Sequence, residues 1–202
     1  MGKSASGKDT LYQKLLCEES LGLRRVVPYT TRPMRAGEKD GMDYHFADET
    51  LFLQMKRDGQ IIESRTYHTV QGDWTYFTAD DGQIDLETGS SLLVGTLEVY
   101  VRLQKHFGTK NVVPLYIEVE DGERLSRALV REKRQKKPDY AELCRRYLAD
   151  MQDFSEENLA QAGICKRYNN QSLEACLQEL CRDIRRINGE AQTTIAGAEN
   201  SK

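Results

Sequence analysis

Met1-Gly2-Lys3-Ser4-Ala5-Ser6-Gly7-Lys8-Asp9-Thr10 is the stretch on which the reading of this chain turns. Gly2, Gly7 and Lys8 stand at the spacing G-x-x-x-x-G-K, in which glycines let backbone N–H groups turn inward around phosphate oxygens while the lysine ammonium reaches the outer phosphates. Gly2 through Thr10 are therefore candidate contacts to a nucleoside triphosphate, and Lys8 is the candidate catalytic cation. The strict motif continues with Ser or Thr, whose hydroxyl binds Mg²⁺; here Asp9 holds that place and Thr10 follows. Either Thr10 supplies the hydroxyl after a small rotation of the helix start, or Asp9 meets the ion directly or through water, as a hard cation accepts. Such a loop ordinarily follows a buried apolar strand. Only Met1 precedes it here, so the usual first strand is expected to be lacking, whether from a late start, a truncation or a true loss.

Outward from the loop, Leu11, Leu15 and Leu16 at helical spacing predict a helix over 10–19 whose N-terminal end faces the phosphates. Val26-Val27 begin a short strand, 29–41 reads as a loop, 43–46 as a strand and 49–57 as a helix closed by Gly59. Residues 60–78 mix Ile, Tyr, Trp, Phe and Thr with turn residues, the composition of antiparallel strands. The short apolar runs 91–95 and 112–117 suit buried parallel strands, with a helix over 97–106 between them. A basic helical stretch covers 122–137, Pro138-Asp139 restart a second helix, 164–168 is a weak strand, and 172–187 a helix with Leu173, Cys176, Leu177, Leu180 and Ile184 inward. Residues 188–202 lack apolar periodicity and read as a disordered tail. The order predicts an α/β fold in three layers on a parallel sheet, interrupted by a small β-rich insertion.

At 202 residues, 39% hydrophobic and 30% charged, the chain suits one globular domain. Its net charge of −3 argues against a bulk nucleic-acid binder. Five cysteines without C-x-x-C spacing read as reduced thiols. No targeting segment or membrane-length apolar run is present, so a cytoplasmic protein acting on small molecules is expected.

Thr30-Thr31-Arg32-Pro33-Met34-Arg35-Ala36-Gly37-Glu38-Lys39-Asp40-Gly41-Met42-Asp43-Tyr44 fills every fixed position of T-T-R-x-x-R-x-G-E-x-x-G-x-D-Y. Two arginines three apart on a Pro/Gly-containing loop offer forked donors to a phosphate monoester, and a tyrosine hydroxyl adds a third contact. Beside a phosphate loop, this run resembles the acceptor site of guanylate kinases. The resemblance covers most of residues 2–187 and implies one domain over 1–187: a core of 1–28 and 90–187, an acceptor-binding insertion over about 29–89, and a lid over about 122–148.

It implies transfer of the γ-phosphoryl of Mg-ATP to GMP, giving ADP and GDP, with Mg²⁺ as the cofactor and ATP and GMP as the partners of a monomer or homodimer. GMP would be held by Arg32, Arg35, Tyr44, Glu63, Tyr76 and Thr78, with Glu63 accepting from the guanine N–H groups. The lid would bring Arg127, Arg131, Arg134 and Arg145 to the transferred charge, with Arg146 beside them. Asn169 of the Asn169-Asn170 pair would contact adenine, a turn being the alternative. Two positions depart from the family. Pro28 replaces a serine, and Leu93-Val94-Gly95-Thr96-Leu97-Glu98 replaces a run of aspartates, leaving Thr96 or Glu98 as substitutes. A kinase for another nucleotide or a ribose bisphosphate, and an inactive module that grips a phospho-ligand, remain alternatives.

Overall fold

A computed structural model describes residues 1–35, 37–69 and 72–199. In chain order it forms α1 (Lys8–Leu16), β1 (Arg24–Arg25), β2 (Tyr29–Thr30), β3 (His45–Phe46), α2 (Glu49–Arg57), β4 (Ile61–Thr69), β5 (Gly72–Ala79), β6 (Ser91–Leu92), α3 (Leu97–Phe107), β7 (Tyr116–Glu118), α4 (Asp121–Lys133), α5 (Tyr140–Asp153), α6 (Glu156–Gln161), β8 (Arg167–Asn169) and α7 (Leu173–Glu199). The fold is mixed α/β. It divides into two compact units, one of Met1–Leu23, Val94–Glu98 and Val113–Lys202, the other of Arg24–Leu93 and Val99–Val112.

In the first unit, α1 buries Leu11 and Leu15, four residues apart and so on one face, and packs on α7, which buries Cys176, Leu180, Cys181 and Ile184. Beside them β7 and β8 pair in parallel, Ile117 opposite Tyr168, both buried. Met1 joins this ladder: its amine donates to Leu115 O at 2.8 Å and Ile117 N–H donates to Met1 O at 2.9 Å. Glu120 and Asp139 cap α4 and α5 by accepting the free N–H groups of their first turns. Buried Glu132 accepts the Asp139 N–H at 2.7 Å, which fixes the corner at Pro138.

The second unit is built on a four-stranded sheet of order β3-β2-β5-β4, in which β5 runs antiparallel to both its neighbours. Met55, Phe77 and Ala79 form its core under Tyr29, Phe52 and Ile61. The β4–β5 register shifts between Ile61 and Glu63, so Ile61 faces Ala79 and Glu63 faces Thr78. Such a bulge re-aims the side chains that follow it. The parallel pair β1–β6 matches Arg24 with Ser91.

Several boundaries differ from the sequence reading. The strand expected at Val26-Val27 is Arg24–Arg25, with both valines buried beyond it; the runs 91–95 and 112–117 contribute only Ser91–Leu92 and Tyr116–Glu118. The parallel pairing appears as two separate two-stranded pieces. Apolar content marks where chain is buried, whereas ladder pairing depends on a partner's position, which local pattern does not contain. Helix α7 continues past Asn188 to Glu199, where the sequence pattern predicts a disordered tail, through Glu, Ala and Gln residues that favour helix, and 200–202 lie outside the described residues. Among the described residues no helix is long and apolar enough to cross a membrane.

Candidate functional site

The loop of residues 2–7 owes its shape to a few constrained backbones. Gly7 caps α1 with φ +82°, and Ala5, a residue with a Cβ, is also left-handed at φ +62°. At Gly2 a Cβ would lie 2.5 Å from Ile117 O, so only glycine lets the loop approach β7 this closely. The turn closes through Ser6 N–H to Lys3 O at 3.2 Å. Helix α1 starts at Lys8 and points its N-terminal end at the loop, the ready anion site of a helix terminus.

Lys8 is half-buried and has no hydrogen bond or ion pair among the described residues, which leaves its ammonium available to a ligand. Loss of hydration and the nearby Lys8 charge push the Met1 amine down to about 5. Asp9 and Thr10 are exposed on the first turn of α1. Their oxygens are the hard donors Mg²⁺ accepts; among the described residues no group of three or more His, Cys, Asp or Glu is gathered for a metal.

Lys3, counted as a loop contact, is instead paired with Asp121 at 3.2 Å. Burial works to raise the Asp121 carboxyl, but bonds from Arg124 and Lys3 together hold it below its usual range. Of the basic residues expected in a lid, Arg127 reaches the loop's surroundings: its Nη2 donates to Asn170 O at 3.1 Å while Nε pairs with Glu123. Arg145 is bound to Glu142 by two hydrogen bonds on the α5 surface. Arg131 and Arg134 are exposed at the end of α4. The Asn pair divides its labour: Asn169 Oδ1 accepts the Gln171 N–H in a turn, whereas buried Asn170 donates Nδ2 to Ser6 O at 2.7 Å. Asn170, Arg124 and Asp150 are the loop-contacting residues that sequence reasoning passed over. Asn170 carried a signal in its pairing with Asn169; the other two look like ordinary helix-face charges.

In the second unit the predicted acceptor residues gather in two clusters on one sheet. Arg32, only 4% exposed, donates both ends of its fork to Glu38 at 2.7 and 2.5 Å, Nε to Tyr76 OH at 3.1 Å, and Nη1 to Pro33 O. Its guanidinium lies 5.1 Å from the centre of the Tyr44 ring, and Tyr44 meets Tyr76 edge-on at 5.6 Å. The bond from Arg32, against a burial effect of opposite sign and with help from the Arg35 N–H, holds the Glu38 carboxyl down at about 2 and raises the Arg32 guanidinium. Arg35 remains exposed, with no ion pair among the described residues.

The fixed letters of the motif thus have physical jobs. Gly37 and Gly41 sit at φ +90° and +71°, Asp43 accepts the Lys39 N–H at 2.8 Å, and Glu38 braces Arg32. The second cluster is Glu63 with Thr78, whose Oγ1 donates to Glu63 Oε1 at 2.7 Å across the bulged strand pair. Tyr76 and Thr78 alternate with buried Phe77 and so share the face that carries Glu63.

A guanylate kinase family model matches residues 1–75, the stretch holding both the phosphate loop and the arginine-tyrosine cluster. Over these residues the chain is similar to guanylate kinases. The guanylate kinase of Bradyrhizobium diazoefficiens is 51% identical over 63 residues, 31% of this chain and 28% of that protein. The guanylate kinase of Legionella pneumophila is 49% identical over 61 residues, 30% of this chain and 28% of the relative. The matches thus span less than a third of these curated relatives' lengths. The crystal structure of guanylate kinase from Anaplasma phagocytophilum is similar in fold along 93% of this chain and 84% of its own, with a TM-score of 0.63 at 23% identity. Likeness to guanylate kinases is therefore dense in the first third of the sequence and carried by fold alone beyond it.

Proposed function

We propose that this chain transfers the γ-phosphoryl of Mg-ATP to GMP, giving ADP and GDP, with the three-layer core, insertion and lid that the family resemblance implies. The observation that carries the reading is the pairing, on one sheet, of a phosphate grip (Arg32, Arg35, Tyr44, Tyr76) with a carboxylate-hydroxyl pair (Glu63, Thr78), in a chain whose loop presents an unpaired lysine. A carboxylate accepts from both the ring N–H and the exocyclic amine of guanine, and adenine offers no matching donor pair. The Thr78 bond to Glu63 orients the carboxylate.

The chemistry needs no covalent intermediate and no strong base, because the acceptor phosphate oxygen is already ionised near neutral pH. Lys8 and the inward N–H groups of the loop hold the donor phosphates, and Arg35 with the tyrosine hydroxyls holds the acceptor, so positioning supplies much of the rate. Asp9 and Thr10 are the residues that would hold Mg²⁺, which when bound with ATP neutralises charge on the β and γ phosphates. Arg127, which donates to Asn170 O beside the loop, stabilises charge on the group in flight.

The test is an ADP-release assay with Mg-ATP against GMP, dGMP, AMP, UMP, CMP and ribose bisphosphate, beside the Lys8→Ala variant. Turnover with GMP, lowered by orders of magnitude in Lys8→Ala, is expected. Turnover only with a different acceptor moves the substrate. Binding of GMP with no turnover on any acceptor favours a phospho-ligand module, a reading supported by the absence of aspartates in Leu93-Val94-Gly95-Thr96.

A further inference from the structure

We propose that buried Arg124 on α4 and half-buried Asp150 on α5 are positioning residues that hold the phosphate loop in its binding shape by gripping the backbone of Ser4. The inference rests on the reading of that loop as the ATP site. Asp150 Oδ2 accepts the Ser4 N–H at 2.7 Å, and Arg124 Nη1 donates both to Ser4 O at 3.3 Å and to Asp150 Oδ2 at 3.2 Å. Both polar groups of one loop residue are thus bound by one ion pair. The pair is itself locked. Arg124 is 1% exposed, gives Nε and Nη2 to Asp121 Oδ1 at 3.1 and 2.9 Å, and lies 4.2 Å from the centre of the Tyr147 ring.

Ala5 explains why a grip is needed at that place. It holds φ +62°, a left-handed backbone that is strained for a residue with a Cβ and persists only where its surroundings over-determine it. Its two neighbours are the fastened ones: Ser4 by Arg124 and Asp150, and Ser6 through its carbonyl by Asn170 Nδ2 at 2.7 Å. Release of Ser4 lets Ala5 relax out of the left-handed region and carries the following N–H groups away from a common centre. A buried ion pair is a poor device for stability, since desolvation offsets most of its attraction. Its directed bonds to a single backbone residue make geometry the better account.

ATP and GMP dissociation constants are to be measured by calorimetry on the unaltered chain, Asp150→Ala and Asp150→Asn, each below its own thermal midpoint, with kcat and KM for ATP alongside. Asp150→Ala is expected to weaken ATP about tenfold or more, the scale of one charge-assisted hydrogen bond, and to raise KM for ATP, while GMP affinity is unchanged. Asp150→Asn keeps an oxygen for the Ser4 N–H and the same shape, so it folds and retains more of the ATP affinity than alanine does. Equal ATP affinity in all three overturns the proposal, as does an equal loss of ATP and GMP, which would mark general loosening. An unaltered chain that binds no ATP overturns the ATP-site reading itself and the proposal with it.

Discussion

Replacing Glu38 by Gln tests whether the acceptor cluster is organised by a carboxylate that never touches substrate. Glu38 closes the Arg32 fork through both oxygens and also takes the Arg35 N–H at 2.8 Å. Its carboxyl falls from 4.5 to about 2, which at about 1.4 kcal/mol per pH unit sets an upper bound of roughly 3.5 kcal/mol. A fifth of the side chain stays in water and Arg32 keeps its bonds to Tyr76 and Pro33, so the expected loss is about 1–2 kcal/mol. The sign follows from the depressed value: the folded state favours the ionised form, so the contribution is complete above about 4.5 and disappears as pH falls towards 2. Urea unfolding of both proteins at pH 7, 5, 4 and 3 reads this directly. The variant is expected to be less stable at pH 7 and to converge with the unaltered chain in acid, and its GMP affinity to fall because Arg32 loses its orientation. A constant difference down to pH 3, or none at pH 7, would refute the role given to Glu38.

Gly7→Ala places a Cβ against Asn170 Nδ2 at φ +82°; the conformational cost and the strained Ser6–Asn170 bond predict about 2 kcal/mol, roughly thirtyfold in ATP affinity by calorimetry, with GMP binding unaltered. Glu63→Gln keeps the Thr78 partner but presents one oxygen where a carboxylate has two, so the preference for GMP over AMP should narrow; an unchanged kcat/KM ratio would remove Glu63 from the base site. The Met1 amine drops from 8.0 to about 5, so the folded chain binds fewer protons than the unfolded one in that window and its stability should rise by about 3 kcal/mol from pH 5 to 8. N-terminal acetylation should flatten this rise in thermal melts, and a flat profile without acetylation would show the amine to be hydrated.

The spacing of Gly2, Gly7 and Lys8 and the run from Thr30 to Tyr44 were enough to point to the loop and to the likeness to guanylate kinases, because both depend on short-range backbone requirements that residue type expresses directly. The helix over Glu49–Arg57 was legible for the same reason, its apolar period and closing glycine lying within one stretch of chain. Strand limits were not, since Arg24–Arg25 pairs with Ser91–Leu92 only because tertiary packing brings them side by side. Nor did spacing reveal that Arg32 pairs with Glu38, that Asn170 rather than Asn169 touches the loop, or that Arg124 and Asp150 hold Ser4. Local sequence determined which candidate site residues this chain carries, because glycine torsions and charged side chains act where they stand. Tertiary structure alone decided which charges are free to meet a ligand and which are consumed in holding the site, because a partner from a distant segment sets that choice.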